Sequence, residues 1–248
     1  MEEFFQQLKD EFVLNFIDGG KWRWLVEGLR NTLIITFFAL IIGVLIGIVV
    51  AMIRSTFDKN KEIYKRQGGF VYFLRCLLNG IANLYLTVIR GTPAVVQLLI
   101  IYVIVFASVR ASTKTDIAIA SFAFGLNSGA YVAEIFRGGI MSIDNGQFEA
   151  GRSIGFNYAQ TMIYIVIPQT VKAVLPTLCN EFIVLLKETS VAGYAGIMDL
   201  TKGGELIRGR TYSPFMPLIA VALIYLVVVV VLTQLVKILE RRLRQNER

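Results

Sequence analysis

The chain has 248 residues, 55% of them hydrophobic and 17% charged, whereas soluble domains carry roughly a quarter charged residues. Its formal charge of +7 would suggest nucleic acid in a soluble protein, but Lys and Arg gather here at the ends of apolar runs, where they act as topology signals. With no histidine and only Cys76 and Cys179, the common zinc and haem ligand sets and a His-based triad are excluded.

The N-terminus, MEEFFQQLKD, is acidic before it is apolar, the reverse of a secretory signal, so the mature chain is expected to begin here. Residues 1–30 read as an interfacial segment. Phe5, Leu8, Phe12 and Phe16 share one helical face, and KWRW places Trp22 and Trp24 at headgroup depth.

Five apolar runs follow, at about 31–53, 84–106, 117–139, 161–186 and 215–236, each near the roughly 20 residues a helix needs to cross a hydrocarbon core. The expectation is an all-α integral membrane protein with one polytopic domain over 31–236 and a basic tail over 237–248. Span 1 carries Thr32, Thr36, Ala39, Gly43 and Gly47 down one face, a stripe suited to close helix packing within the chain, with a contact between subunits as the alternative. Residues 57–83 contain DKNKEIYKRQGG and then FVYFLRCLL, too charged and too short to span, and read as an amphipathic cytoplasmic segment leading into span 2.

An odd number of spans separates the termini. The basic residues after span 1 and in KILERRLRQNER place both stretches in the cytoplasm, which leaves the N-terminus and the loop ASVRASTKTD outside. The loop between spans 3 and 4, about 141–160, is then cytoplasmic.

Polar residues inside the spans are costly unless they face a partner or a wet cavity. Span 2 places Thr87, Arg90, Ala94 and Gln97 on one face, interrupted by Gly91 and Pro93. Span 3 carries Asn127, Tyr131 and Glu134 at i, i+4, i+7, and Glu134 with Arg137 has the spacing of an i, i+3 ion pair. Span 4 is kinked by Pro168 and Pro176. Its Lys172 and Glu181 would point to opposite faces of an unbroken helix, so each needs its own partner; for Glu181 that is either a ligand's ammonium or a residue such as Arg90. Span 5 is nearly featureless and reads as peripheral.

Between spans 3 and 4 lies EAGRSIGFNYAQTMIYIVIP, Glu149 to Pro168. Ala150, Gly151, Ile154 and Tyr158 have the spacing of a short helix with a flat small-residue entry and an apolar ridge, suited to insertion into another protein, with Gly155 bending it. Glu149, Ala150 and Gly151, then Gly155, then Ile165, Ile167 and Pro168 resemble the EAA loop motif of permease subunits of binding-protein-dependent ABC importers, specifically the polar amino acid uptake family. Gly stands for the third small residue and Ile for Leu. IRGTPAVVQL, AYVAEIFRGGI and LPTLCNEFIVLLKETS also look like blocks of that family.

The resemblance implies an ABC importer type I permease fold in a bacterial plasma or inner membrane. Glu149, Ala150, Gly151, Ile154 and Gly155 would form the joint to a cytoplasmic ATP-binding subunit that holds ATP and Mg, with no cofactor in this chain and no enzymatic activity of its own. Other implied partners are a second permease subunit, expected to be an identical copy, an extracytoplasmic solute-binding protein and membrane lipids, with no nucleic acid. For a polar amino acid moved by alternating access, Arg90 and Gln97 would serve the carboxylate, and Glu181, Asn127 and Tyr131 the ammonium. An ion-gradient-driven transporter or channel is the alternative, which five spans without internal duplication fit poorly. A membrane enzyme or anchor is the other; no GxxxxGK[ST] loop occurs, so ATP hydrolysis would have to come from another chain.

Overall fold

The structure is a computed structural model and describes residues 1–109 and 112–245. Arg110 and Ala111 of the loop expected outside, and the last three residues of the basic tail, lie outside the described residues. In chain order the helices are α1 (Glu2–Phe12), α2 (Trp22–Gln67), α3 (Gly69–Gly91), α4 (Ala94–Leu99), α5 (Thr113–Ser142), α6 (Asn145–Ser153), α7 (Tyr158–Thr161), α8 (Ile167–Glu188), α9 (Leu200–Thr211) and α10 (Phe215–Gln245). Among the described residues, five stretches are long and apolar enough to cross a membrane: Trp22–Arg66, Gly69–Gly91, Thr113–Ser142, Tyr158–Ala195 and Phe215–Arg242.

Several boundaries differ from those expected, for local reasons. α2 starts at Trp22 and runs unbroken through the charged residues to Gln67, because nothing in DKNKEIYKRQ breaks a helix and Lys, Glu, Arg and Gln are good helix formers. The run FVYFLRCLL accordingly belongs to a candidate span of its own, α3, and does not merely lead into one. That helix stops at Gly91, and Thr92 is extended (φ −125°, ψ 147°), as the residue before a proline prefers. After Pro93 the chain resumes as α4 and continues in a π-helical turn, Ile100–Val105. The fourth span contains a π-helical turn at Met162–Val166, just before Pro168, and α8 carries Pro176 inside it.

The described residues fall into two compact units. One comprises those within Met1–Ala39, Ala94–Phe124 and Phe182–Leu235; the other those within Leu40–Pro93, Gly125–Glu181 and from Val236 onward. In the first, Phe16, Leu25, Leu200, Ile207 and Val221 form a buried cluster, with Trp24 and Tyr225 packed against it. Phe5 and Phe12 are exposed while Phe16 is buried, so the apolar stripe of the N-terminal segment divides between surface and core. Asn15, fully buried, accepts from the Thr211 hydroxyl at 2.7 Å and donates to the Glu11 carbonyl, tying this segment to the end of α9. The upper part of the small-residue stripe packs here: Thr36 meets the Thr189 hydroxyl at 3.3 Å, and Thr32 accepts from the Leu200 amide.

Asp199 caps α9. Its two carboxylate oxygens accept from the Lys202 amide at 2.6 Å, a donor the helix start would otherwise leave open, and from the Gly193 amide of the preceding 3-10 turn at 2.9 Å. Burial nevertheless pushes this carboxyl up to about 6, against the pull of those two backbone hydrogen bonds.

In the second unit Ala51, Val132, Phe136 and Val174 form one buried cluster, and Leu86, Ala130 and Ala133 another. α2 crosses α5 at the lower part of the stripe: a Cβ on Gly47 would lie 2.5 Å from Val132 Cγ1 and 2.9 Å from the Ala133 nitrogen. The expected packing within the chain is therefore the one found.

Two predictions follow from these contacts. Gly47→Ala forces α2 and α5 apart and should destabilise the protein by about 1–3 kcal/mol. Gly80→Ala, with no heavy atom within 4 Å of the added methyl, should be neutral or stabilise by up to about 1 kcal/mol; thermal unfolding in detergent compares the two. For Asp199 the folded chain holds the proton more tightly than the unfolded one, so the stability this group contributes is lost as pH rises from about 4 through about 6. Asp199→Asn cannot ionise and should flatten that part of the melting-temperature profile.

Candidate functional site: an exposed helical elbow and an ion-paired cavity

The loop between the third and fourth spans folds as two short helices set on the chain's own core. Asp144 caps α6, its side chain accepting from the Gly146 amide. α6 ends in a Schellman arrangement: the Phe156 amide reaches the Gly151 carbonyl at 2.9 Å and the Gly155 amide the Arg152 carbonyl at 3.0 Å, with Gly155 at φ +85°, a conformation glycine adopts without a Cβ penalty. α7 begins at once with a reciprocal capping box between Asn157 and Gln160.

This geometry corrects the expectation of a single helix with Ile154 and Tyr158 on one ridge. Gly155 reverses the chain between them, because its left-handed backbone ends α6 before another turn can form. Phe148 instead supplies the inward anchor. It is 8% exposed, clusters with Ile140, Met162 and Val166, and stacks on Tyr158 with ring centroids 6.2 Å apart. Gly151 is also buried: a Cβ there would lie 2.6 Å from the Thr161 hydroxyl oxygen, so its smallness lets α6 close onto α7. Glu149, Ala150 and Ile154 are exposed, with Ile154 at 67%. The elbow thus presents a carboxylate, a methyl and an isoleucine from a rigid base.

A second feature of the same unit is a polar cavity of about 450 Å³ lined by Asn83, Leu86, Thr87, Arg90, Gly91, Tyr131 and Glu134. Arg90 pairs with Glu134 at 3.4 Å. The other oxygen of Glu134 accepts from Arg137 at 3.1 Å, the expected i, i+3 pair, and Arg137 reaches Asp58 at 3.8 Å. Four charges of alternating sign therefore run Asp58, Arg137, Glu134, Arg90, each answered by an opposite neighbour, as charges in an apolar span require.

Of the expected substrate residues, Arg90 and Tyr131 line this cavity. Glu181 is 9% exposed and accepts from the Ser128 hydroxyl at 3.0 Å, while Arg90 turns to Glu134; the alternative of a Glu181–Arg90 pair is thereby replaced. Asn127 is buried in the same unit and Gln97 in the other; neither lines the cavity. Asn83 went unnoticed in the sequence, although it stands one turn before Thr87 and two before Arg90 on the face already marked as polar.

Residues 69–245 match a family described as "Binding-protein-dependent transport system inner membrane component". The chain is 34% identical over 224 residues to a putative glutamine transport system permease protein GlnP of Rickettsia typhi, covering 90% of this chain and 94% of that one. It is 36% identical to the arginine transport system permease protein ArtQ of Bacillus subtilis, covering 90% and 94%, and 33% identical to the glutamine transport system permease protein GlnP of Escherichia coli K12, covering 89% and 93%. Among solved structures it resembles an amino acid ABC transporter crystallised with histidines, at TM-score 0.74 and 37% identity over 92% of this chain and 98% of that one. The inward-facing MetNI methionine ABC transporter shares the fold at TM-score 0.70 and 17% identity, covering 90% and 97%. By its matched length, its spanning helices and these relatives, the chain belongs to the inner-membrane components of binding-protein-dependent transport systems.

Proposed function

We propose that this chain is half of the membrane pathway of an ATP-driven importer of polar amino acids, paired with a second copy of itself. An ATP-binding subunit, which holds ATP and Mg, docks on α6 from the cytoplasm, and a solute-binding protein delivers the ligand on the other side. The observation that carries this reading is the elbow: Glu149, Ala150 and Ile154 exposed on a helix whose reverse side is fixed by Phe148 and Gly151. A projecting helix on a rigid base is what transmission of force to a separate partner requires. Glutamine and arginine permeases among the relatives support the substrate class.

The cavity fits a zwitterion. Arg90 can take a carboxylate and Glu134 an ammonium, so a bound amino acid replaces one ion pair by two and leaves the net charge unchanged. Tyr131, Asn83 and Thr87 add neutral hydrogen-bonding groups along the wall. Gln97, Asn127 and Glu181 would then join the path in another state of the alternating-access cycle.

Two outcomes test this. Glu149→Lys reverses the charge on the exposed face of the elbow; it should leave the permease folded in detergent but abolish the stimulation of ATP hydrolysis by liganded binding protein. Glu134→Gln should lower uptake in reconstituted vesicles by about tenfold or more, the scale of a lost charge-assisted hydrogen bond, while the amount of copurified ATP-binding subunit stays the same.

A further inference from the structure

The charged end of α2 touches both features above. Lys59 and Asp58 are neighbours on the helix, about 100° apart around its axis, so their side chains diverge to different elements. Lys59 Nζ sits 3.7 Å from the centroid of the Phe148 ring on α6, is shielded from solvent and makes no hydrogen bond. A solvated charged tip would leave that ammonium in water. Asp58 Oδ2 pairs with Arg137 on α5, the first link of the charge chain that ends on Arg90 at the cavity.

From this we infer that the end of α2 is a coupling brace. Lys59 holds the docking helix by its buried aromatic anchor, Asp58 holds the outer end of the charge chain, and the continuous helix between them makes one rigid piece of the two. A displacement of α6 by a docked partner thus pulls on Arg137, whose shift alters the hold of Glu134 on Arg90. Lys59 is a positioning residue: it contacts neither cargo nor nucleotide and acts through Phe148. The inference rests on the reading of α6 as the docking helix.

The test uses the complete complex, permease with its ATP-binding subunit and solute-binding protein, in vesicles. Lys59→Met keeps the apolar stem and removes the cation; a desolvated cation–π contact corresponds to a loss of about fivefold or more, expected in both ligand-stimulated hydrolysis and uptake, with undiminished copurification of the ATP-binding subunit. Lys59→Arg, which retains the contact, should recover most of the loss. If Lys59 acts through the ring, Lys59→Met combined with Phe148→Leu should be no worse than the more impaired single variant. Should Lys59→Met fail to accumulate, Phe148→Leu, with the cation intact and the ring gone, should show the same loss of stimulation. Wild-type stimulation in Lys59→Met, an Arg variant as impaired as Met, or fully additive losses would each overturn the brace while leaving the importer reading in place; a wild-type complex with no stimulated hydrolysis would overturn both.

Discussion

A charge in a spanning helix is costly unless an opposite charge or a polar group answers it, and that constraint organises most of what is distinctive here. Arg90, Glu134, Arg137 and Asp58 each meet an opposite charge, and the links tie α3, α5 and α2 together within one unit. The chain is not fully enclosed: the Arg90 side chain keeps 47% of its surface exposed and that of Glu134 28%. Such pairs contribute little net stability. Their role is to give each charge on these helices an opposite partner.

Close approach of small residues is the counterpart of this polar scaffold. Where lipid surrounds a helix, no hydrophobic drive distinguishes protein from solvent, so packing surfaces and hydrogen bonds decide which helices meet. Gly43 and Gly47 let α2 lie against α5, Thr32 accepts from the Leu200 amide, and Thr36 donates to the Thr32 carbonyl and meets the Thr189 hydroxyl. Close approach also shapes the elbow, where Gly151 admits Thr161 and Phe148 seats on Tyr158.

Local spacing made much of this legible before any coordinates. The stripe from Thr32 to Gly47 and the Glu134–Arg137 pair depend only on helical periodicity, and both are found as read. Arg90 with Tyr131 in one cavity was also accessible, since each lay on a polar face that lipid would reject. What periodicity could not supply is which faces oppose each other. Arg90, an open partner for Glu181, pairs with Glu134 instead, and Glu181 accepts from the Ser128 hydroxyl. Gly151 looked outward in the motif and is buried against Thr161, a contact made only after Gly155 turns the chain back. DKNKEIYKRQ was misleading in another way. Composition marks it as too polar for the bilayer, but a helix does not end where the membrane does, and only the folded chain shows Lys59 shielded over Phe148.

The wide π-turn at Met162–Val166 has a bearing on how chain length can vary in this fold. Its hydrogen bonds close over five residues instead of four, so it stores one residue that an ordinary helix would not need. Deleting a single position there returns the turn to α-helical spacing and leaves Lys172 and Glu181 aimed as before, whereas the same deletion a turn later would swing everything beyond it by about 100°. A one-residue deletion in the fourth span is thus absorbed at the π-turn ahead of Pro168, whereas elsewhere along the span it turns the residues beyond it.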